Sequence, residues 1–454
     1  MTIAAFGTTL LPSGWVKGAR LEVDERGRIA AVAEGSAGGE DIVLPGMPNL
    51  HSHSFQRAMA GLVETAGPGK DSFWTWRELM YRFVELFGPE DIEAIASQAF
   101  AEMLSAGYTS VAEFHYLHHA PDGRPYAART ELSDRIVAAA RRTGIRLTLL
   151  PVFYAAGGFG GAPPSERQRR FLNDAEGFLS LVEDLQASYG DDPLIRIGIA
   201  PHSLRAAPPD ALAEVVREAR RMDPEMPIHI HIAEQRKEVE DCLAWSAARP
   251  VDWLFDHHEV DRHWCLIHAT HMTAGETRRF AHSGAVAGLC PTTEANLGDG
   301  LFPAPSFLKQ RGMIGVGSDS NVTIDPAEEL RLLEYGQRLI LRRRNVLAEG
   351  EGRSTGAAIH SAALRGGAAA LGQPIGALSP GCYADFITLD GKAPTLAGAS
   401  GDALLDAWIF SGGKSLVKSV TVGGREVVRG GRHIEGEAIA ERYRKTLKKA
   451  LNTR

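Results

Sequence analysis

The sequence predicts an α/β fold, a TIM-type (β/α)8 barrel with a small β domain beside it, and three observations carry that expectation. Short apolar strands alternate with longer helical stretches through the middle of the chain. Polar residues able to do chemistry fall where those strands end, and strand-like texture appears at both termini. At 454 residues with 44% hydrophobic content, the chain can bury one large core and a satellite domain without covalent staples.

Ala19 to Asp24 and Gly27 to Val32 alternate apolar and polar residues around turn signals, as short strands of a small sheet do. The texture returns at Tyr383 to Asp390 and at Val417 to Val428, where Gly423-Gly424 marks a hairpin turn. Residues 1–45 and 375–435 are therefore expected to form one small domain, with a C-terminal helix over 436–454. Between them, 46–374 hold eight strands that end near His53, His115, Phe153, His202, Ile232, His268, Pro291 and Asp319. The intervening stretches have helical periodicity, as in Pro89 to Ala106, closed by Gly107. Eight strand-helix units close a barrel, whose active site lies at the C-terminal strand ends. An open doubly wound sheet is the competing architecture, but no Gly-x-Gly-x-x-Gly follows the early strands.

A net charge of -7 and the absence of a long Lys/Arg run leave no basic field for nucleic acid or a membrane surface, so a small-molecule substrate is favoured. Cys242, Cys265, Cys290 and Cys382 lack Cys-x-x-Cys spacing, which argues against both a disulfide framework and a thiolate zinc site. The N-terminal run MTIAAFGTTLLPSG has no basic n-region, and nowhere do about 18 apolar residues follow one another, so a cytoplasmic protein is expected. A homodimer is the base-rate expectation for a barrel of this size.

Leu44 to His53 ends in His51-Ser52-His53, two imidazoles projecting the same way from one strand end and able to chelate one ion. Alone this is a weak motif, since His-x-His is commonly incidental. Pro227 to Glu234 delivers His229 and His231 on another strand, with a carboxylate three residues after the second. Two more strand ends supply His268 and Asp319. Singly, His268 reads as a satisfied core histidine and Asp319 as a helix N-cap. Coincidence at four strand ends is a poorer explanation than a metal centre.

In this order, PGMPNLHSH, HIHIAE, HATH and GSDS resemble the amidohydrolase superfamily, and the resemblance spans nearly the whole chain. It implies a barrel flanked by a small β-sandwich built from both termini. It also implies one divalent metal, with zinc the leading choice, held by His51, His53, His231 and Asp319, leaving His229 outside the ligand set. Glu234 would shuttle protons, His268 would contact the attacked group or the water, and Asp319 would take the water's proton. Binuclear relatives bridge two metals with a carboxylated lysine; no lysine occurs between Lys70 and Lys237, so one metal is implied. A divalent ion lowers the pKa of bound water from ~15.7 toward about 7, which suits expulsion of ammonia from a C–N centre.

The segments after the first, second and fourth strands bring Gln56, Arg77, Tyr116, His202 and Arg205 toward the barrel mouth. Arginine forks grip carboxylates bidentately, so two of them suit a substrate with two carboxylates. Within the superfamily these segments resemble the formimidoylglutamate deiminases of histidine degradation. That resemblance implies hydrolysis of N-formimidoyl-L-glutamate to N-formyl-L-glutamate and ammonia, with these five residues on the glutamate moiety. Trp74 and Trp76 keep a purine or other heteroaromatic deaminase in play, and a catalytically silent barrel is the reading from a different class. His118, His119, His257 and His258 are expected in solvent, and Arg342-Arg343-Arg344 on the face of a helix starting near Pro326.

Overall fold

The structure, a computed structural model, describes residues 2–35, 38–65, 73–348 and 350–452. Eight short parallel strands lie in its central part: β1 (Met47–Ser52), β2 (Tyr108–His115), β3 (Arg146–Phe153), β4 (Ile195–Ile197), β5 (Ile228–Ile232), β6 (Trp264–His268), β7 (Val286–Leu289) and β8 (Met313–Val316). They pair in parallel in two runs, β1-β2-β3-β4 and β5-β6-β7-β8. Isolated parallel bridges join Ile199 to Ile228, Ser203 to His231, and Ser52 to Asp319. Every residue of β2, β3, β5 and β6 is buried, as expected where helices cover a parallel sheet.

The expected fourth strand, ending at His202, is broken: β4 stops at Ile197, and a two-residue segment, Ala200–Pro201, pairs separately with β3. Gly198 sits in the break, where a Cβ would come 2.7 Å from the Pro227 carbonyl oxygen. The helix Pro89–Ala106 has Pro at its start, Asp91 at N3 bonding back to Gly88 N, and Gly107 in the left-handed region at its end.

Strands from both chain ends join in one eight-stranded sheet, in the order 432–433, 425–429, 417–422, 386–389, 42–45, 2–11, 14–23, 29–34. Leu21, Val43 and Phe386 belong to its own small apolar cluster. The hairpin at Gly423-Gly424 has φ of 55° and 79°, the pair of left-handed residues a tight two-residue turn needs. Helix Gly436–Asn452 returns to the body of the protein, where Arg442 meets Glu93 at 3.1 Å and Tyr443 Oη donates to the Arg57 carbonyl at 3.1 Å. The Arg342 to Arg344 run lies beyond its helix, which ends at Leu341 with Arg342 as a left-handed cap.

One buried ion pair ties the sheet to β3. Arg146 Nε and Nη2 donate to the two oxygens of Asp385 at 2.7 and 3.1 Å, and the guanidinium lies 3.4 Å above the Tyr383 ring. Gly423 N also donates to Asp385 at 2.7 Å. Removing one member of such a pair strands a buried charge, so Arg146→Ala should cost about 3–5 kcal/mol, read as a lowered urea midpoint. A midpoint within error of wild type would refute this.

Candidate active site

The residues at or just beyond the ends of β1, β5, β6 and β8 converge, and three of the four segments turn through left-handed backbone at Ala233, His268 and Asp319. His268 and Asp319 adopt φ of 67° and 44°, the left-handed region that is sparsely used by such residues and is characteristic of functional sites. Gly317 permits the approach of β8 to β1, since a Cβ there would lie 2.7 Å from the His51 backbone nitrogen. Asn321 then clips the two ends together, its Nδ2 donating to the carbonyls of His53 and Asp319 at 3.1 and 3.0 Å.

His51, His53 and His231 present ring nitrogens within 4.8 Å of one another, as do His51 and His268 with an Asp319 oxygen. The Nε2 atoms of His51 and His231 are 3.1 Å apart, and Asp319 Oδ1 lies 3.5 and 3.4 Å from Nε2 of His51 and His53. A tetrahedral ion with bonds of ~2.0–2.1 Å has ligand-to-ligand edges of about 3.3 Å, so these separations fit one. Two outer nitrogens are spoken for: His53 Nδ1 donates to the Phe114 carbonyl at 2.9 Å and His231 Nδ1 to that of His202 at 3.0 Å. This leaves Nε2 of these two rings with its lone pair inward, while His51 Nδ1 is buried without a partner. Burial lowers His51 to about 3 and holds His53 and His231 below their ordinary value, so all three imidazoles are neutral. His229 points elsewhere, Nε2 donating to the Ala370 carbonyl at 2.8 Å.

Asp319 is held below the usual carboxylate range: burial pushes it up, but the His51 contact and the electrostatics of the neighbouring His51, His268 and His53 rings outweigh that. His268 goes the other way, to about 10; burial lowers it, and the Glu234 charge, the Glu294 contact and Asp319 more than reverse this. Burial lifts Glu234 to about 7, with His268 and Arg205 pulling against it. One cavity is lined by His53, Gln56, Arg77, Tyr116, His202, Arg205, His231, Glu234, His268 and Asp319, together with Trp76 and Tyr154. The sequence-predicted residues other than His51 therefore face one space, with His51 directly behind them.

Within that cavity the two arginines differ. Arg205 is 3.9 Å from Glu234 and 3.8 Å from Glu238, both carboxylates that the fold provides. Arg77 has no carboxylate within ion-pair distance among the described residues and lies over the rings of Trp74 and Tyr81 at 4.7 and 5.6 Å. Gln56 Nε2 donates to Tyr116 Oη at 3.0 Å, and its Oε1 is buried without a partner. Of the segment Pro68 to Gly88, 68–72 lie outside the described residues; Phe73–Val84 is a helix over the cavity.

The profile of the amidohydrolase family matches residues 42–427. The chain belongs to the amidohydrolase family. This amidohydrolase is 53% identical over 448 residues to the formimidoylglutamate deiminase of Pseudomonas aeruginosa, covering 98% of each chain. Its fold matches the crystal structure of an amidohydrolase from Brucella melitensis with TM-score 0.93 and 50% identity, over 98% of this chain and 99% of that one. An adenosine deaminase from Xanthomonas campestris with bound zinc shares the fold at TM-score 0.82 and 22% identity, over 99% and 98% of the two chains.

Sequence reasoning missed several groups around this amidohydrolase's site. Glu238, four residues after Glu234, accepts from the backbone nitrogens of Ala233 and Glu234 at 3.2 Å each and so shapes the turn that carries Glu234. Asp299 accepts from Gln235 Nε2, and burial beside the Glu234 charge raises it to about 9. Glu294 meets His268 Nδ1 at 3.2 Å; its place three residues after the start of a helix was the available signal. His118 is buried rather than exposed, Nε2 donating to the Val152 carbonyl at 2.9 Å, and His119 is half-buried with Nε2 on the Leu172 carbonyl at 2.7 Å. Both sit in a loop packed under neighbouring segments, which polarity alone did not reveal.

Glu113, fully buried behind the His51-Ser52-His53 turn, accepts from Ser54 N and Oγ at 2.7 and 2.6 Å. Burial raises its pKa to about 7 against an ordinary 4.5. A carboxyl raised in the folded state favours folding most below pH 4.5, and that advantage, on the order of 3 kcal/mol, is lost as pH rises through about 7. Glu113→Gln retains an acceptor for Ser54 and should flatten the fall in Tm between pH 5 and pH 8. An unchanged pH dependence would contradict the assignment.

Proposed function

We propose that this amidohydrolase hydrolyses N-formimidoyl-L-glutamate to N-formyl-L-glutamate and ammonia. The single observation that carries the reading is Arg77, a guanidinium facing the cavity beside the histidine cluster with no carboxylate partner among the described residues. A dicarboxylate substrate supplies what it lacks, and Arg205, Tyr116, His202 and Gln56 offer further donors and acceptors around the same space. The full-length similarity to a formimidoylglutamate deiminase supports the same substrate. A purine ring offers neither carboxylate, so the two guanidiniums favour the deiminase.

His51, His53, His231 and Asp319 would hold one divalent ion, zinc being the choice their geometry favours, and the ion would supply a nucleophilic water at neutral pH. Asp319, ionised, accepts a proton from the attacking water. Glu234, lifted by burial to about 7, pairs as a carboxylate with the cationic formimidoyl group, takes up the other proton of the attacking water and hands it to the departing nitrogen. His268, 3.8 Å from Glu234 and 3.7 Å from Asp319, orients the attacked carbon between them. Arg77 and Arg205 fix the glutamate carboxylates, so the amidine carbon is delivered to the carboxylates rather than found by diffusion.

The same reading takes β1 to β8 as a closed (β/α)8 barrel, supported by the three parallel bridges that join its two runs. Residues 1–45 and 375–435 are then a small β-sandwich domain, 46–374 the barrel and 436–454 a C-terminal helix, supported by the shared sheet and by helix Gly436–Asn452. The substrate puts the enzyme in histidine degradation. Exposed Leu339, Ile340 and Leu341 support a homodimer, and a cytoplasmic location accords with reduced cysteines; no helix among the described residues is long and apolar enough to cross a membrane.

Incubating the zinc-loaded protein with N-formimidoyl-L-glutamate should release ammonia and N-formylglutamate in equal amounts, identified by mass. Formamide with free glutamate would overturn the choice of bond, and no turnover would overturn the substrate. Arg77→Ala should raise KM at least tenfold with zinc content unchanged, because a charged hydrogen bond is worth about 1.5–3 kcal/mol. Glu234→Ala should lower kcat instead. Equal effects on both constants in both variants would refute the division of roles.

A further inference from the structure

We infer that Glu294 is a positioning residue for His268, an inference that rests on the proposed deiminase site. His268 sits at a left-handed strand end, where the backbone alone leaves its ring free to turn about χ1 and χ2. One edge faces the chemistry, Nε2 lying 3.8 Å from Glu234 Oε1 and 3.7 Å from Asp319 Oδ2. The other edge is anchored: Nδ1 is 3.2 Å from Glu294 Oε1. The same oxygen accepts from Cys290 N at 2.9 Å, so it acts as an acceptor and Nδ1 carries the proton. Nε2 is thereby the nitrogen turned to the substrate, as a carboxylate behind a histidine enforces elsewhere.

Glu294 is itself immobilised. It is 3% exposed, in the first turn of Pro291–Leu297, and that turn is clamped by Thr292, whose N and Oγ1 donate to Glu329 at 2.9 and 2.5 Å. The competing explanation is structural, a carboxylate at N4 that caps Cys290 N and touches His268 by accident. A cap alone would show in stability and leave the His268 imidazole and kcat unmoved. Glu294→Asp, one methylene shorter, should draw the oxygen away from His268. Glu294→Gln should keep both contacts, because Cys290 N–H selects the amide oxygen, not the amide nitrogen, for that position.

Both variants and wild type are measured zinc-loaded, for turnover and by proton NMR of the imidazole N–H region. His268 Nδ1–H should give a downfield resonance, identified by its loss in His268→Asn. That resonance should vanish in Glu294→Asp and persist in Glu294→Gln. In Glu294→Asp, kcat should fall at least tenfold with KM within about twofold, since small misplacements of a reacting group cost this much, and Glu294→Gln should recover most of the loss. Retention of the resonance and of kcat in Glu294→Asp, or equal losses in the two variants, would overturn the assignment. The resonance requires no substrate, so a failed deiminase assay leaves this test intact.

Discussion

Asp319 carries its carboxylate into a space where burial alone would neutralise it, and it stays ionised because three imidazoles surround it. Its oxygens lie 3.5, 3.4 and 3.7 Å from His51, His53 and His268, side chains that arrive from two different strand ends. The fold's special features near the site serve that meeting. Left-handed φ at His268 and Asp319 turns the side chains inward, Gly317 lets β8 approach His51, and Asn321 bonds both strand ends at once. Such strain persists only where surrounding structure over-determines it, and here the hydrogen bonds of Asn321 and Ser318 provide that: Ser318 N donates to Asn49 Oδ1 at 3.0 Å.

Around this charge the site divides into groups of opposite electrostatic character. His51, His53 and His231 are neutral because burial lowers them, which suits lone-pair donation. His268, equally buried, is pushed up because carboxylates flank it on both edges. Glu234 lies between His268 and Arg205, and Arg205 in turn between Glu234 and Glu238. Arg77 stands outside this chain, over the rings of Trp74 and Tyr81. The two arginines that look alike in the sequence thus differ in surroundings: Arg205 lies between two carboxylates of the fold, and Arg77 has none within ion-pair distance among the described residues.

Much of this was legible in the sequence because the period of a strand is two and barrel sites lie at strand ends. His-x-His at 51 and 53, His231 with Glu234 three residues on, His268 and Asp319 declare themselves by position alone. The helix Pro89–Ala106 and the Gly423-Gly424 turn were legible from local stereochemistry. What was not legible depends on tertiary proximity. Arg146 and Asp385 are 239 residues apart, and nothing near either names the other. Glu294 reads as an ordinary helix-start glutamate until β6 and β7 are seen side by side. His118 looked exposed because a polar loop was assumed to lie in water, whereas this one is packed under neighbouring segments.

The account's central claim is that one ion and two guanidiniums share a single dicarboxylate ligand across this cavity. Crystals grown with zinc and a non-hydrolysable amidine analogue of N-formimidoyl-L-glutamate, measured at the zinc absorption edge, test it most directly. The account predicts one anomalous peak bonded to His51, His53, His231 and Asp319, the amidine facing Glu234, and the ligand's carboxylates on Arg77 and Arg205. A second ion in the site, or a ligand whose carboxylates turn away from both arginines, would contradict it.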